Sequence, residues 1–144
     1  MRVRPLNEKD MEQVEALDEK SGDYVAQWLD CEDYAYGMFV DDKLIGYCTI
    51  GGADDVPDCI EKHRAYSDGH SLLLSDVYIL PKYRHKLYGY MMVDNALFIR
   101  LEKEKGVKSV YLTLLYDELS NFYGKLGFKW VDETEQYAMV KEVA

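Results

Sequence analysis

Met1-Arg-Val-Arg-Pro-Leu6 mixes apolar and polar side chains in the manner of a short strand. Asn7 and Asp10 then lead into apolar positions at Met11, Val14 and Leu17, which have helical spacing behind a side-chain cap. A polar break at Ser21-Gly22-Asp23 leaves Tyr24 to Leu29 as a short helix. Tyr36 to Val40 and Lys43 to Ile50 read as the two strands of a hairpin around Asp41-Asp42. Residues 51–70 hold paired glycines, Pro57, Gly69 and many charges, and predict a long loop: the border of a substrate site or a surface insertion. From Ser71 to Leu80 the chain is apolar apart from Ser75 and Asp76, as a central strand requires, and Pro81 stops it. After Lys82 to Gly89, the residues Met92, Val93, Ala96, Leu97, Ile99 and Leu101 keep helical spacing until Gly106, with Lys103 and Lys105 in the final turn. Val107 to Leu115 alternates, with Val110, Leu112 and Leu114 on one face and Tyr111 and Thr113 on the other, so a strand follows. Asp117 is placed to cap a short helix striped by Leu119, Phe122, Tyr123 and Leu126 and ended by Gly127. Lys129 to Asp132 and Tyr137 to Val143 predict two closing strands. No repeat, linker or low-complexity segment interrupts this pattern, so residues 1–144 read as one α/β domain with a βαβ-like centre.

Charge narrows the partners. Seventeen Lys plus Arg against 27 Asp plus Glu give a formal net charge of −10, a field that repels nucleic-acid backbones and anionic lipid alike. Neither nucleic acid nor a membrane is expected as a partner, while amine-bearing or cationic molecules suit the field. There is no run of about 18 apolar residues and the first ten positions carry charged side chains in place of an apolar signal core, so the expected location is the cytoplasm. Cys31, Cys48 and Cys59 form no CxxC pair and have no His placed as a co-ligand; they read as reduced packing residues, and no metal site is expected.

The chemistry concentrates between Val77 and Tyr90. Lys82, Arg84, His85 and Lys86 gather within a few positions of an otherwise acidic chain, directly before a helix whose first N–H groups lack intrahelical partners. Such a terminus can bind phosphate, because amides supply directional donors, the helix dipole favours negative charge, and Lys and Arg add attraction. A solvated basic loop before an ordinary helix fits the same residues, and the pattern alone leaves both open.

Arg84-His-Lys-Leu-Tyr-Gly89 resembles the acetyl-coenzyme A loop of the GNAT superfamily of N-acetyltransferases, which reads Gln/Arg-x-x-Gly-x-Gly/Ala. The likeness keeps its order along nearly the whole chain. Arg4-Pro-Leu6 followed by Asp10 resembles the family's first strand and helix entry, Lys43-Leu-Ile-Gly-Tyr47 its strand after the hairpin, and Asn121-Phe-Tyr-Gly-Lys-Leu-Gly-Phe128 its near-terminal motif. Leu87 stands where the family most often has the first glycine of the loop. The resemblance implies a mixed central sheet of about six to seven strands with helices on both faces. It implies a splay between the fourth and fifth strands, here Leu72 to Leu80 and Val107 to Leu115. Acetyl-coenzyme A is then the expected cosubstrate. Its pantetheine would lie in that gap against backbone groups of Val77, Tyr78 and Ile79, like an added strand. Its diphosphate would meet the loop formed by Arg84, His85, Lys86, Leu87, Tyr88, Gly89 and Tyr90, with Asn121 as a further contact.

The same resemblance implies direct attack by a primary amine on the thioester in a ternary complex, without an acyl-enzyme. An alkylammonium with a pKa of about 10 must first lose a proton, the oxyanion needs donors, and the departing thiolate benefits from an acid. Tyr123 matches the family's tyrosine acid in the Phe-Tyr-x-x-Leu-Gly-Phe pattern; on its apolar stripe it also reads as a core aromatic. Asp76, which breaks the apolar fourth strand, is the candidate base, since burial raises a carboxylate toward the working range. Thr113 occupies the place where some family members carry a glutamate. His63 and His70 are loop histidines with a suitable intrinsic pKa, and Asp54, Asp55, Asp58 and Glu61 either attract a cationic acceptor or form a solvated face. The expectation is an acyl-coenzyme A-dependent N-acetyltransferase with an amine-bearing acceptor, and the family's habits allow a homodimer. The alternative is a non-catalytic GNAT-like module that binds a coenzyme A derivative or a protein partner, suggested by Leu87 and the lack of an obvious base.

Overall fold

The computed structural model describes residues 1–31, 33–52, 55, 71–114, 119–132, 134 and 137–143. Strands β1 (Arg2–Pro5), β2 (Ala35–Val40), β3 (Lys43–Gly51), β4 (Ser71–Ile79), β5 (Ser109–Thr113), β6 (Lys129–Trp130) and β7 (Ala138–Glu142) form one mixed sheet. Their order in it is β1-β2-β3-β4-β5-β7-β6. Among the described residues the α-helices are α1 (Met11–Glu15), α2 (Ser21–Ala26), α3 (Tyr88–Lys103) and α4 (Ser120–Lys125). None among the described residues is long and apolar enough to cross a membrane. The chain forms two compact units, Met1–Ile50 with Asp76–Lys103, and Gly51–Ser75 with Glu104–Ala144.

In the first unit the helix entry is fixed by polar side chains. Asn7 accepts from the Lys9 amide, and Asp10 accepts from the Asn7 amide at 2.9 Å, closing a capping box. The Asp10 carboxylate also receives both Arg4 guanidinium nitrogens, at 2.9 and 2.8 Å, and these contacts hold its pKa below the usual range. Helix α2 begins three residues before the predicted Tyr24. The reason is Asp18, whose Oδ1 accepts from the Lys20 and Ser21 amides and from Ser21 Oγ, so the polar break is itself the start of the helix. The β2–β3 hairpin turns through Asp41 and Asp42, both at positive φ (51° and 64°), the backbone sense that matches strand twist. Pairing shifts after Met38↔Gly46 to Phe39↔Leu44, so Ile45 is an extra residue. That bulge puts Phe39, Leu44 and Tyr47 on one face, where they pack with Leu6, Val14, Leu17 and Val25. Helix α3 buries Met92, Val93, Ala96, Leu97 and Arg100 and packs against β1 and β2.

In the second unit β4 and β5 run parallel, Ser71↔Ser109 to Leu73↔Tyr111. The described pairing ends there although both strands continue, which is the splay expected between the fourth and fifth strands. The alternation in β5 does not separate a wet from a dry face: Val110, Tyr111 and Leu112 are all buried. The strand lies between β4 and β7, and Tyr111 packs with Leu73 and Ala138. Helix α4 ends as predicted at Gly127, whose φ is +98°. The Phe128 amide donates to the Tyr123 carbonyl and the Gly127 amide to that of Gly124, the paired bonds of a left-handed helix stop. The capping role expected of Asp117 and most of the predicted 51–70 loop, with His63, His70, Cys59, Asp54, Asp58 and Glu61, lie outside the described residues.

Candidate active site

Strand β4 ends in side chains that its own core leaves partly uncovered: Val77 and Tyr78 are half-buried and only Ile79 is closed off. Tyr78 stacks on Tyr47 with ring centroids 5.9 Å apart and donates its hydroxyl to the Leu17 carbonyl at 3.3 Å. The strand reaches this position because Gly46 lets it approach; a Cβ there would strike the Tyr78 carbonyl oxygen. The Leu80 amide donates to the Ile45 carbonyl at 2.8 Å, carrying the edge contact past the end of β4.

The basic bend follows. Pro81–Tyr83 makes a single 3-10 turn. Arg84 then folds back, its Nε donating to the Ile79 carbonyl at 2.6 Å and its guanidinium lying 5.2 Å from the centre of the Tyr78 ring. Arg84 therefore fastens the bend to the strand, and of the three backbone positions named for pantetheine, the Ile79 carbonyl already has a partner. His85 takes a left-handed conformation, φ +61°, and swings the chain into α3. Leu87 stays outside that region and is 70% exposed, so the backbone there does not require glycine and the side chain points away into solvent.

The first intrahelical bond of α3 runs from the Met91 amide to the Leu87 carbonyl, 2.9 Å. The amides of His85, Lys86, Leu87, Tyr88, Gly89 and Tyr90 meet no protein acceptor among the described residues. Lys82, Arg84, His85 and Lys86 are all exposed around them. Tyr83 and Tyr88 meet edge to face at 5.4 Å, and the Lys82 ammonium lies 5.3 Å from the Tyr83 ring. A row of directional donors at a positive helix end, set in a cationic collar, can take a multiply charged anion.

Asp76 sits one strand position before Val77. Its carboxylate Oδ2 accepts from Thr49 Oγ1 at 2.9 Å, and its own amide donates back to the same oxygen at 2.9 Å. Burial pushes the Asp76 pKa up; the Thr49 hydroxyl and the Trp28 indole pull it the other way. The indole N–H is buried and makes no hydrogen bond of full geometry among the described residues. Neither Thr49 nor Trp28 was among the sequence candidates. A threonine inside the apolar run Leu44 to Ile50 marks a polar group in need of a partner, although the sequence does not say that the partner is Asp76. Arg100 was missed as well: it continues the Met92, Val93, Ala96, Leu97 stripe, is 2% exposed, and donates to the Asp33 and Ile50 carbonyls beneath the Tyr34 ring.

Asn121 and Tyr123 belong to the second unit. Asn121 is exposed on α4. Tyr123 is 8% exposed, with its ring edge-on to Phe122 at 5.0 Å and to Phe128 at 6.0 Å. The contact with Phe128 is the apolar clasp that accompanies the left-handed stop of α4, so helix termination and ring orientation are one feature. Thr113, at the end of β5, is half-buried and carries no titratable group.

Among curated proteins no sequence matches this chain. Solved structures do. The loading GNATL domain of CurA from Lyngbya majuscula is similar with a TM-score of 0.72 at 14% identity, over 98% of this chain and 96% of that one. PaiA N-acetyltransferase from Thermoplasma acidophilum, solved with coenzyme A, gives 0.65 at 20% identity, over 99% and 98%. An aminoglycoside 6'-N-acetyltransferase, also solved with coenzyme A, gives 0.69 at 16% identity, over 100% and 98%. At these identities the likeness is one of fold. The sequence model of the GNAT acetyltransferases matches residues 3–128, from β1 through the helix stop beside Tyr123, and the chain belongs to the acetyltransferase (GNAT) family.

Proposed function

We propose that this chain, working as one domain over residues 1–144, transfers an acetyl group from acetyl-coenzyme A to a primary amine by direct attack in a ternary complex. The observation that supports it is the run of amides from His85 to Tyr90 without protein acceptors among the described residues, inside the cationic bend before α3. Those donors fit a diphosphate, and the coenzyme A in the solved relatives PaiA and the aminoglycoside acetyltransferase carries one. The cosubstrate supplies the activated acetyl thioester; the chain binds, orients and moves protons. Backbone groups of Val77 and the amide of Ile79 take the pantetheine arm in the manner of strand addition, while Tyr78, whose carbonyl faces β3 at Gly46, flanks the arm. Lys82, Arg84, His85 and Lys86 add charge around the amides, and Asn121 is a further contact. Asp76 accepts the proton of the ammonium at its carboxylate, and Tyr123 lends its phenolic proton to the leaving sulfur. The free thiols of Cys31 and Cys48 suit a reducing cytoplasm.

Calorimetry tests the binding half. The parent takes up acetyl-coenzyme A, and Gly89→Val, which adds a branched side chain beside the donor row, weakens it by at least about tenfold, or 1.4 kcal/mol. A parent that gives no binding heat would end the proposal. Thiol release over a broad panel of amines tests the chemistry. Tyr123→Phe is expected to lower turnover by about a hundredfold while affinity for acetyl-coenzyme A holds, in line with the usual yield of a positioned acid. Unchanged turnover would return Tyr123 to the core. A parent that binds acetyl-coenzyme A but frees thiol with no amine would be the non-catalytic module instead.

A further inference from the structure

We propose that Thr49 is a positioning residue for Asp76: it donates to Oδ2 and leaves Oδ1 as the atom that takes up a proton. The inference rests on the assignment of Asp76 as the base. Its geometric ground is the closed pair of bonds between β3 and β4. Thr49 Oγ1 accepts from the Asp76 amide and lies 2.9 Å from Oδ2. A hydroxyl has a single proton, and with its oxygen already receiving an N–H that proton goes to the carboxylate. Thr49 is fully buried, so the hydroxyl cannot turn to water for another acceptor. A proton placed on Oδ2 turns it into a hydroxyl oxygen, a poorer acceptor, and so weakens the bond on which the buried Thr49 proton depends. Oδ1 makes no full hydrogen bond among the described residues, so a proton there leaves the Thr49 bond intact. One side chain thus fixes the carboxylate rotamer, favours the charged form and chooses the oxygen that works.

The other groups facing Asp76 do not compete for the proton. From β3 come Tyr47 and Cys48, and burial pushes both up to about 12, so they stay neutral through the working range. From the turn after α2 comes Trp28, a donor that does not titrate. Among the described residues Thr49 is the one side chain that makes a full hydrogen bond to the carboxylate.

Carbon-13 NMR titration of the full chain, labelled at the aspartate carboxyl carbons, reads the effect directly, with Asp76→Asn assigning the signal. Thr49→Val is expected to raise the Asp76 midpoint by about one pH unit, because the charged form loses a donor. Thr49→Ser is expected to keep the parent midpoint, and Thr49→Ala, which adds no bulk, to follow Val. A midpoint in Val and Ala equal to the parent's, or a Ser variant that shifts as far as they do, would overturn the role of the hydroxyl. Failure of the underlying reading looks different: Asp76→Asn that keeps full thiol release removes Asp76 as base, whatever the titration says of Thr49.

Discussion

At the scale of single residues, Asp76 carries a cost of burial alongside the role proposed for it. Its pKa is raised from 3.8 by burial, so between that value and the folded one the native state holds a proton that the unfolded chain has released. The native state then binds more protons, and stability falls as pH rises through that window. Asp76→Asn removes the dependence while keeping an oxygen for Thr49. The variant is expected to be at least as stable as the parent at neutral pH in urea denaturation, with a flatter profile on the acid side and with thiol release lost. A variant clearly less stable at neutral pH would contradict the raised value. Asp76 is legible in the sequence because one carboxylate interrupts an apolar strand. Its partners are not, since Thr49 is distant in sequence and only strand pairing brings it alongside. Leu87 misleads in the opposite direction: the family pattern puts glycine there, but this chain spends its left-handed turn at His85, two positions earlier.

At the scale of elements, periodicity carries most of the information. The β2–β3 hairpin, β4, α3 and the Gly127 stop all stand where the apolar pattern and the turn residues put them. The departures have local causes. α2 starts early because Asp18 gathers its first amides, and β5 is dry on both faces, with Tyr111 packed against Leu73 and Ala138. Neither a cap that precedes its helix by three residues nor the identity of a strand's neighbours is written into local alternation. The approach of β3 to β4 rests on Gly46. Gly46→Ala would drive a methyl into the Tyr78 carbonyl and within 3.2 Å of Ile79 Cα, both backbone atoms that cannot step aside alone. Overpacking of this kind is expected to cost about 1–3 kcal/mol. It should also displace the backbone at Val77 to Ile79, so weaker acetyl-coenzyme A binding is expected alongside the lower urea midpoint. An alanine variant with parental midpoint and affinity would show that β4 is not held by this contact.

At the scale of the whole molecule, an acidic chain keeps a small cationic collar, and that contrast makes the segment after Pro81 conspicuous from its residue types alone. Net charge of −10 suits encounters with cationic molecules and opposes that with the anionic cosubstrate, so on the proposed reading binding of the latter depends on local donors rather than on the long-range field. The donors are backbone amides, which no sequence pattern displays as free or engaged; only the fold shows that α3 begins its bonding at Met91. Amide chemical shifts of the nitrogen-15-labelled chain, followed while acetyl-coenzyme A is added, test this most directly. The amide protons of His85 through Tyr90 should move downfield together and saturably as they meet the diphosphate. Binding that leaves those resonances in place, or a chain that shows no response at millimolar acetyl-coenzyme A, would contradict the account.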